Sequence, residues 1–91
     1  MKISTQMIAS LLRQADIEGY IELGAPANEY DSEAEALAIA FSELSTEEIT
    51  TENITAILIE AWRHSFNLSD SDLEMRKREI KIVAKAIVDG R

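Results

Sequence analysis

The sequence predicts an all-α fold: one small domain over residues 1–91, a compact bundle of four main helices with a short extra turn. Three observations carry that expectation. Apolar residues recur at helical spacing along almost the whole chain, Ser, Thr and Asn precede the apolar runs where helix starts need acceptors, and nothing reads as a strand. The segment ITAILIEAW is rich in β-branched residues, yet its apolar positions fit a period of 3.6 better than a period of two.

The first helix is expected to start at Ser4 or Thr5 as cap, with Ile8, Leu11, Leu12 and Ala15 at i, i+3, i+4 and i+7. Gly19 is its expected stop or bend, because glycine takes positive φ without a Cβ penalty. Tyr20, Ile21 and Leu23 form a short apolar link to a sharp break at Gly24. Pro26 holds Ala25 extended and removes a backbone donor, so Asn28 is the expected cap of a second helix ending near Leu44. Its stripe is Tyr30, Ala34, Leu37, Phe41 and Leu44. The ring of Tyr30 is expected on the core with its hydroxyl at the edge.

Ser45 and Glu48 have capping-box spacing, which predicts a short turn near residues 46–49, and Thr50 or Thr51 can cap the helix that follows. That third helix, about 52 to 66, carries Ile54, Ile57, Leu58, Ala61, Trp62 and Ser65 on one face, widened by Ile59 and Phe66. So broad an apolar arc predicts a central helix packed by several neighbours. NLSDSDLE reads as a turn and a new start, with Ser71 and Glu74 in capping-box spacing. The last helix is expected to reach about Val88, with Leu73, Ile80, Val83, Ala84 and Ile87 inward and Gly90 beyond its end.

Hydrophobic residues make up 46% of the chain and charged residues 29%, the balance of a folded domain and not of a disordered acidic tail. A chain of this length buries about 60–65% of its unfolded surface, enough for one core. The net charge of −8 is unevenly spread, −12 over residues 1–75 and +4 over residues 76–91. An acidic body repels nucleic acid and anionic membrane and attracts a basic protein, so no nucleic-acid or membrane partner is expected. The N-terminal stretch lacks the apolar core of a signal peptide, and no apolar run approaches the roughly 20 residues of a membrane span, which makes a cytoplasmic location the expectation.

The segment GAPANEYDSEAE, residues 24–35, concentrates Glu29, Asp31, Glu33 and Glu35 around Tyr30. Glu29/Glu33 and Asp31/Glu35 are like-charge pairs at i, i+4, each costing about 0.2–0.5 kcal/mol on an isolated helix. A helix N-terminus returns about 0.3–1 kcal/mol per carboxylate, so stability neither demands nor forbids the cluster. Two readings stand side by side: a solvated helix start, or a patch of Glu29, Asp31, Glu33 and Glu35 around a partly exposed Tyr30, suited to a basic protein partner. Gly24-Ala25-Pro26 followed by Glu29-Tyr30-Asp31 and Glu33 resembles a signature of small bacterial proteins of the DUF1871 type, roughly Gly-x-Pro-x-(Asp/Glu)-Glu-Tyr-Asp-x-Glu. The likeness covers about ten residues, and Asn28 stands where an acid is common. It implies a compact helical fold and carries over no catalytic residue.

The last helix offers a second surface. Arg78, Lys81 and Lys85 form a basic stripe with Glu74 placed to pair with Arg78, and Met75, Ile82 and Ala86 form a minor apolar strip about opposite the main one. Met75, Arg78 and Ile82 are therefore candidates for a homodimer or partner surface, although scattered exposed apolar residues are also ordinary. Catalytic signals are weak. His64 is the only histidine, no serine stands in a nucleophile motif, and the chain has no cysteine for disulfides or thiolate ligands. Asp70, Asp72 and Glu74 alternate as in a calcium loop, but Met75 and Lys81 occupy the positions that need glycine and glutamate, which leaves helix capping as the reading of these acids. The expectation is a non-enzyme without metal or cofactor. It is a small acidic binding module, in the manner of an immunity or inhibitor protein that neutralises a basic toxin, or alternatively a homo-oligomeric regulatory or structural protein.

Overall fold

The computed structural model describes residues 3–90, and in it the chain forms α1 (Thr5–Ala15), α2 (Asp31–Ser42), a 3-10 turn (Thr46–Glu48), α3 (Thr51–Phe66) and α4 (Asp70–Gly90), with no strand among the described residues. Contacts run α1–α2, α2–α3, α3–α4 and α4–α1, a closed circuit that puts α2 and α4 at diagonal corners. The radius of gyration of 12.3 Å matches the value expected for a compact chain of this length.

The predicted stripes line the interior. Ile8 and Leu12 from α1, Ala34, Leu37 and Phe41 from α2, Ile54, Leu58 and Trp62 from α3, and all five predicted α4 positions are buried. Leu11, Ala15, Leu44, Ile57 and Ala61 are half-buried at the margins of these stripes, and Ser65 is exposed. Ser4 caps α1 by accepting from the Met7 amide at 3.0 Å, and Thr50 caps α3 by accepting from Asn53 at 3.2 Å. Ser45 and Glu48 form the expected capping box, which holds the Glu48 carboxyl below its usual range through bonds to the Ser45 amide and hydroxyl.

Four boundaries differ from expectation. Asp16, not Gly19, ends α1: it adopts the left-handed conformation (φ 42°, ψ 55°) and its amide closes on the Leu12 carbonyl. Aspartate tolerates that region better than most residues, and its carboxylate is used there. Asn28 does not cap α2, which begins three residues later; its carbonyl accepts the Asp31 amide in a turn, and Tyr30 occupies the capping position without a side-chain cap. The box at the start of α4 is Ser69 with Asp72, not Ser71 with Glu74: each backbone amide donates to the other's side chain at 3.2 Å. Gly90 belongs to α4 and does not lie beyond it. Gly24 does make the sharp break, at φ 114°, where an L-residue would be strained.

Candidate protein-binding surface

The acidic segment is placed by a knot of polar and aromatic groups beneath the 16–30 loop. The Asp16 carboxylate accepts the Ile21 and Glu22 amides at 3.1 and 3.0 Å and the Tyr30 hydroxyl at 2.6 Å. Chiefly through the Tyr30 hydroxyl, and then the two amides, its pKa is held below the usual carboxylate value against the opposing effect of burial. The Tyr30 oxygen in turn accepts the Glu18 amide at 3.2 Å. Burial, reinforced by Asp16, pushes the Tyr30 phenol up. A helix stop in α1, a loop amide and the entry to α2 thus meet at one tyrosine.

Glu18 extends the knot to the other two helices. Its carboxylate accepts Trp62 Nε1–H at 2.8 Å from α3 and takes Arg76 of α4 bidentately, through Nε and through Nη2 at 2.9 Å. Arg76 Nη1 donates to the Asp72 carbonyl at 2.8 Å, so the guanidinium is fixed on both sides. Only 3% of the Glu18 side chain is exposed against 24% for Arg76, which makes this the most sheltered ion pair among the described residues. The Glu18 carboxylate raises the Arg76 pKa. Around the pair, the rings of Tyr30 and Trp62 lie 5.9 Å apart, those of Trp62 and Phe66 5.0 Å, and Tyr20 stacks on Tyr30 at 6.5 Å with 10° between planes.

Tyr30 is therefore not the partly exposed centre of a patch. It is 1% exposed, with its ring in the core as expected and its hydroxyl bonded to half-buried Asp16 and Glu18 of the loop and not open to a partner. The acids around it separate. Asp31 lies 3.8 Å from Arg13, whose Nε donates to the Ala27 carbonyl at 2.8 Å and so ties the loop to α1. Glu33 accepts the Ser32 hydroxyl and Glu29 precedes the helix, outside its first turn. Glu35 is exposed and borders two grooves. One, of about 280 Å³, runs beside Asp31 and Arg13; the other, of about 600 Å³, has Ile39, Leu44 and Ile49 in its walls. Glu29, Glu33 and Glu35 have no ion pair among the described residues.

The wider electrostatic setting follows from the sequence once the helices are placed. No Lys or Arg occurs between Arg13 and Arg63, an interval that holds twelve acids and all of α2 and the 3-10 turn. The positive charge collects on α4, where Met75, Arg78 and Ile82 are exposed as expected. Glu74 pairs there with Lys77 at 3.2 Å, not with Arg78, and Lys85 pairs with Asp89 at 3.1 Å. His64 is exposed and lies 3.5 Å from Glu60. Among the described residues no group of three His, Asp or Glu side chains is arranged to hold a metal ion, and no helix is long and apolar enough to cross a membrane.

Comparison with protein-family models, with curated proteins and with solved structures returns no match. The functional reading thus rests on the chain's own geometry and charge.

Proposed function

We propose that the chain is an acidic protein-binding module whose α2 side receives a basic protein partner. One observation carries this reading. From residue 14 to residue 62 there is no positive side chain, while Glu29, Glu33, Glu35, Glu43, Glu47 and Glu52 have no ion-pair partner among the described residues. So many unneutralised carboxylates cost self-repulsion, and a field of one sign gains most by steering an oppositely charged protein. An immunity or inhibitor protein that neutralises a basic toxin combines this size, charge and helicity, an analogy of class and not of motif.

A second reading, a homo-oligomeric regulatory or structural protein, is favoured by Met75 and Ile82, which stand 80% and 55% exposed on one side of α4.

Affinity capture from the native host tests the first reading. The captured protein is expected to be basic, and its association rate to fall with added salt, because opposite charges are screened beyond about 8–10 Å. The quadruple variant Glu29→Gln, Asp31→Asn, Glu33→Gln, Glu35→Gln should associate more slowly while keeping its helical spectrum. An acidic partner, or an unchanged rate for the variant, would count against it.

A further inference from the structure

The outer faces of α2 and α4 point away from each other, since the two helices hold diagonal corners of the bundle. They differ in shape and in charge. Beside α2 lies the open groove of about 600 Å³, bounded by the start of α1 and by Leu44 and Ile49; Ile39 in its wall is 66% exposed and Glu35 stands at its margin. Exposed Glu43 and Glu47 follow closely along the chain, without an ion pair among the described residues. On α4, Met75 and Ile82 are seven residues apart, so they fall on one stripe about two turns in length. Arg78 lies between them and Lys81 beside them, and neither base has an ion pair among the described residues; Glu79 is the one acid on that stripe.

We infer that the groove beside α2 in one copy receives the Met75–Ile82 stripe of α4 from a second copy, head to tail. Apolar anchors spaced along one helix face and seated in an apolar groove are an established mode of helix recognition. Here the flanking charges match as well: Arg78 and Lys81 approach a margin that carries Glu35, with exposed Glu43 and Glu47 next along the chain. The stripe cannot meet a second stripe so favourably, because Arg78 and Lys81 would then face their own kind. Because the two faces lie at opposite corners, the contact does not close as a two-fold dimer. Each copy added to the series leaves one groove and one stripe free, so assembly continues beyond the dimer, as an open series or a closed ring. A standard stable interface buries roughly 800 Å² per partner, so a contact confined to one stripe and one groove is expected to form only at high protein concentration. This rests on the homo-oligomeric reading of Met75 and Ile82 and does not depend on the basic-partner reading.

Sedimentation velocity on the full chain, with Ile39→Glu to spoil the groove and Ile82→Glu to spoil the stripe, decides the matter. Both positions are exposed, and circular dichroism verifies that the helices persist; Met75→Glu replaces the stripe variant if Ile82→Glu loses helicity. Wild type at high micromolar concentration should show species beyond the dimer, fewer at high salt. Each variant alone should remain monomeric. An equimolar mixture should form a dimer and stop there, since only the groove of the Ile82→Glu chain and the stripe of the Ile39→Glu chain are intact. A wild type that is monomeric at both salt concentrations overturns the inference and leaves the groove to another protein. So does a series that ends at the dimer, wild-type association by Ile39→Glu, or a mixture that remains monomeric.

Discussion

Trp62→Ala is expected to lower the free energy of unfolding by about 3–5 kcal/mol, the usual cost of truncating a large buried aromatic. Trp62 is fully buried, its ring packs against Tyr30 and Phe66, and its indole N–H is bonded to Glu18. Alanine removes the ring that stacks on Tyr30 and packs tilted on Phe66, and opens a void at the junction of α3 with the 16–30 loop. A small domain has roughly 5–15 kcal/mol in all, so the variant should be partly unfolded near room temperature or close to it. Urea denaturation followed by circular dichroism measures this without needing the lost fluorophore. Melting like wild type would remove α3 from the centre of the fold.

Glu18→Ala is expected to cost toward the lower end of the about 3–5 kcal/mol seen when a buried pair loses one member. The lower end applies because Arg76 keeps a quarter of its side chain in water and can recover some hydration. The substitution strips the acceptor from Trp62 and both acceptors from Arg76, leaving the indole N–H unpaired in an aromatic surrounding. Exposed pairs such as Lys77–Glu74 contribute about 0–1 kcal/mol, so a Glu74→Ala control should be nearly silent. Equal losses for the two variants in denaturant titrations would show that Glu18 and Arg76 form no special junction.

The helices were legible because burial imposes a period. Ala34, Leu37 and Phe41, or Ile80, Val83, Ala84 and Ile87, must fall on one side of a helix whatever the partner, and they do. The knot was not legible, because its members are joined by the fold and not by spacing. Glu18 and Arg76 lie 58 residues apart, and in sequence each looks like one more surface charge. Asp16 is a related case: glycine is the usual left-handed stop, so Gly19 drew the prediction, and only the three bonds gathered by the Asp16 carboxylate explain why the chain turns earlier. The shift from Ser71/Glu74 to Ser69/Asp72 arises because two overlapping boxes are written into NLSDSDLE. Asn67 decides between them by ending α3 in the left-handed conformation, with its amide on the Arg63 carbonyl.

Of the proposed site, the acids of α2 and the stripe of α4 could be read as charge and hydropathy, whereas the groove could not. Its walls come from the start of α1, from α2, and from Leu44 and Ile49 on either side of the 3-10 turn. Tyr30 was legible in part. Its place in the helical stripe correctly turned it inward, but no spacing rule reveals that its hydroxyl would be bonded to Asp16.

Labour is divided within residues 24–35: Tyr30 holds the loop and α2 to the core, and the acids beside it add little to the stability of the fold. Denaturant unfolding of Tyr30→Ala beside the quadruple variant Glu29→Gln, Asp31→Asn, Glu33→Gln, Glu35→Gln tests it without any partner in hand. Tyr30→Ala should lose about 3–5 kcal/mol, as other buried aromatics do, and Tyr30→Phe a smaller amount, about 1.5–3 kcal/mol, since it gives up the bond to the Asp16 carboxylate and the one from the Glu18 amide. The quadruple variant should stay within about 0.5 kcal/mol of wild type, since relief of like-charge repulsion offsets the lost helix-terminus attraction. Stability unchanged by Tyr30→Ala but sharply reduced by neutralising the acids would contradict it, and would make the acids the structural element of the segment.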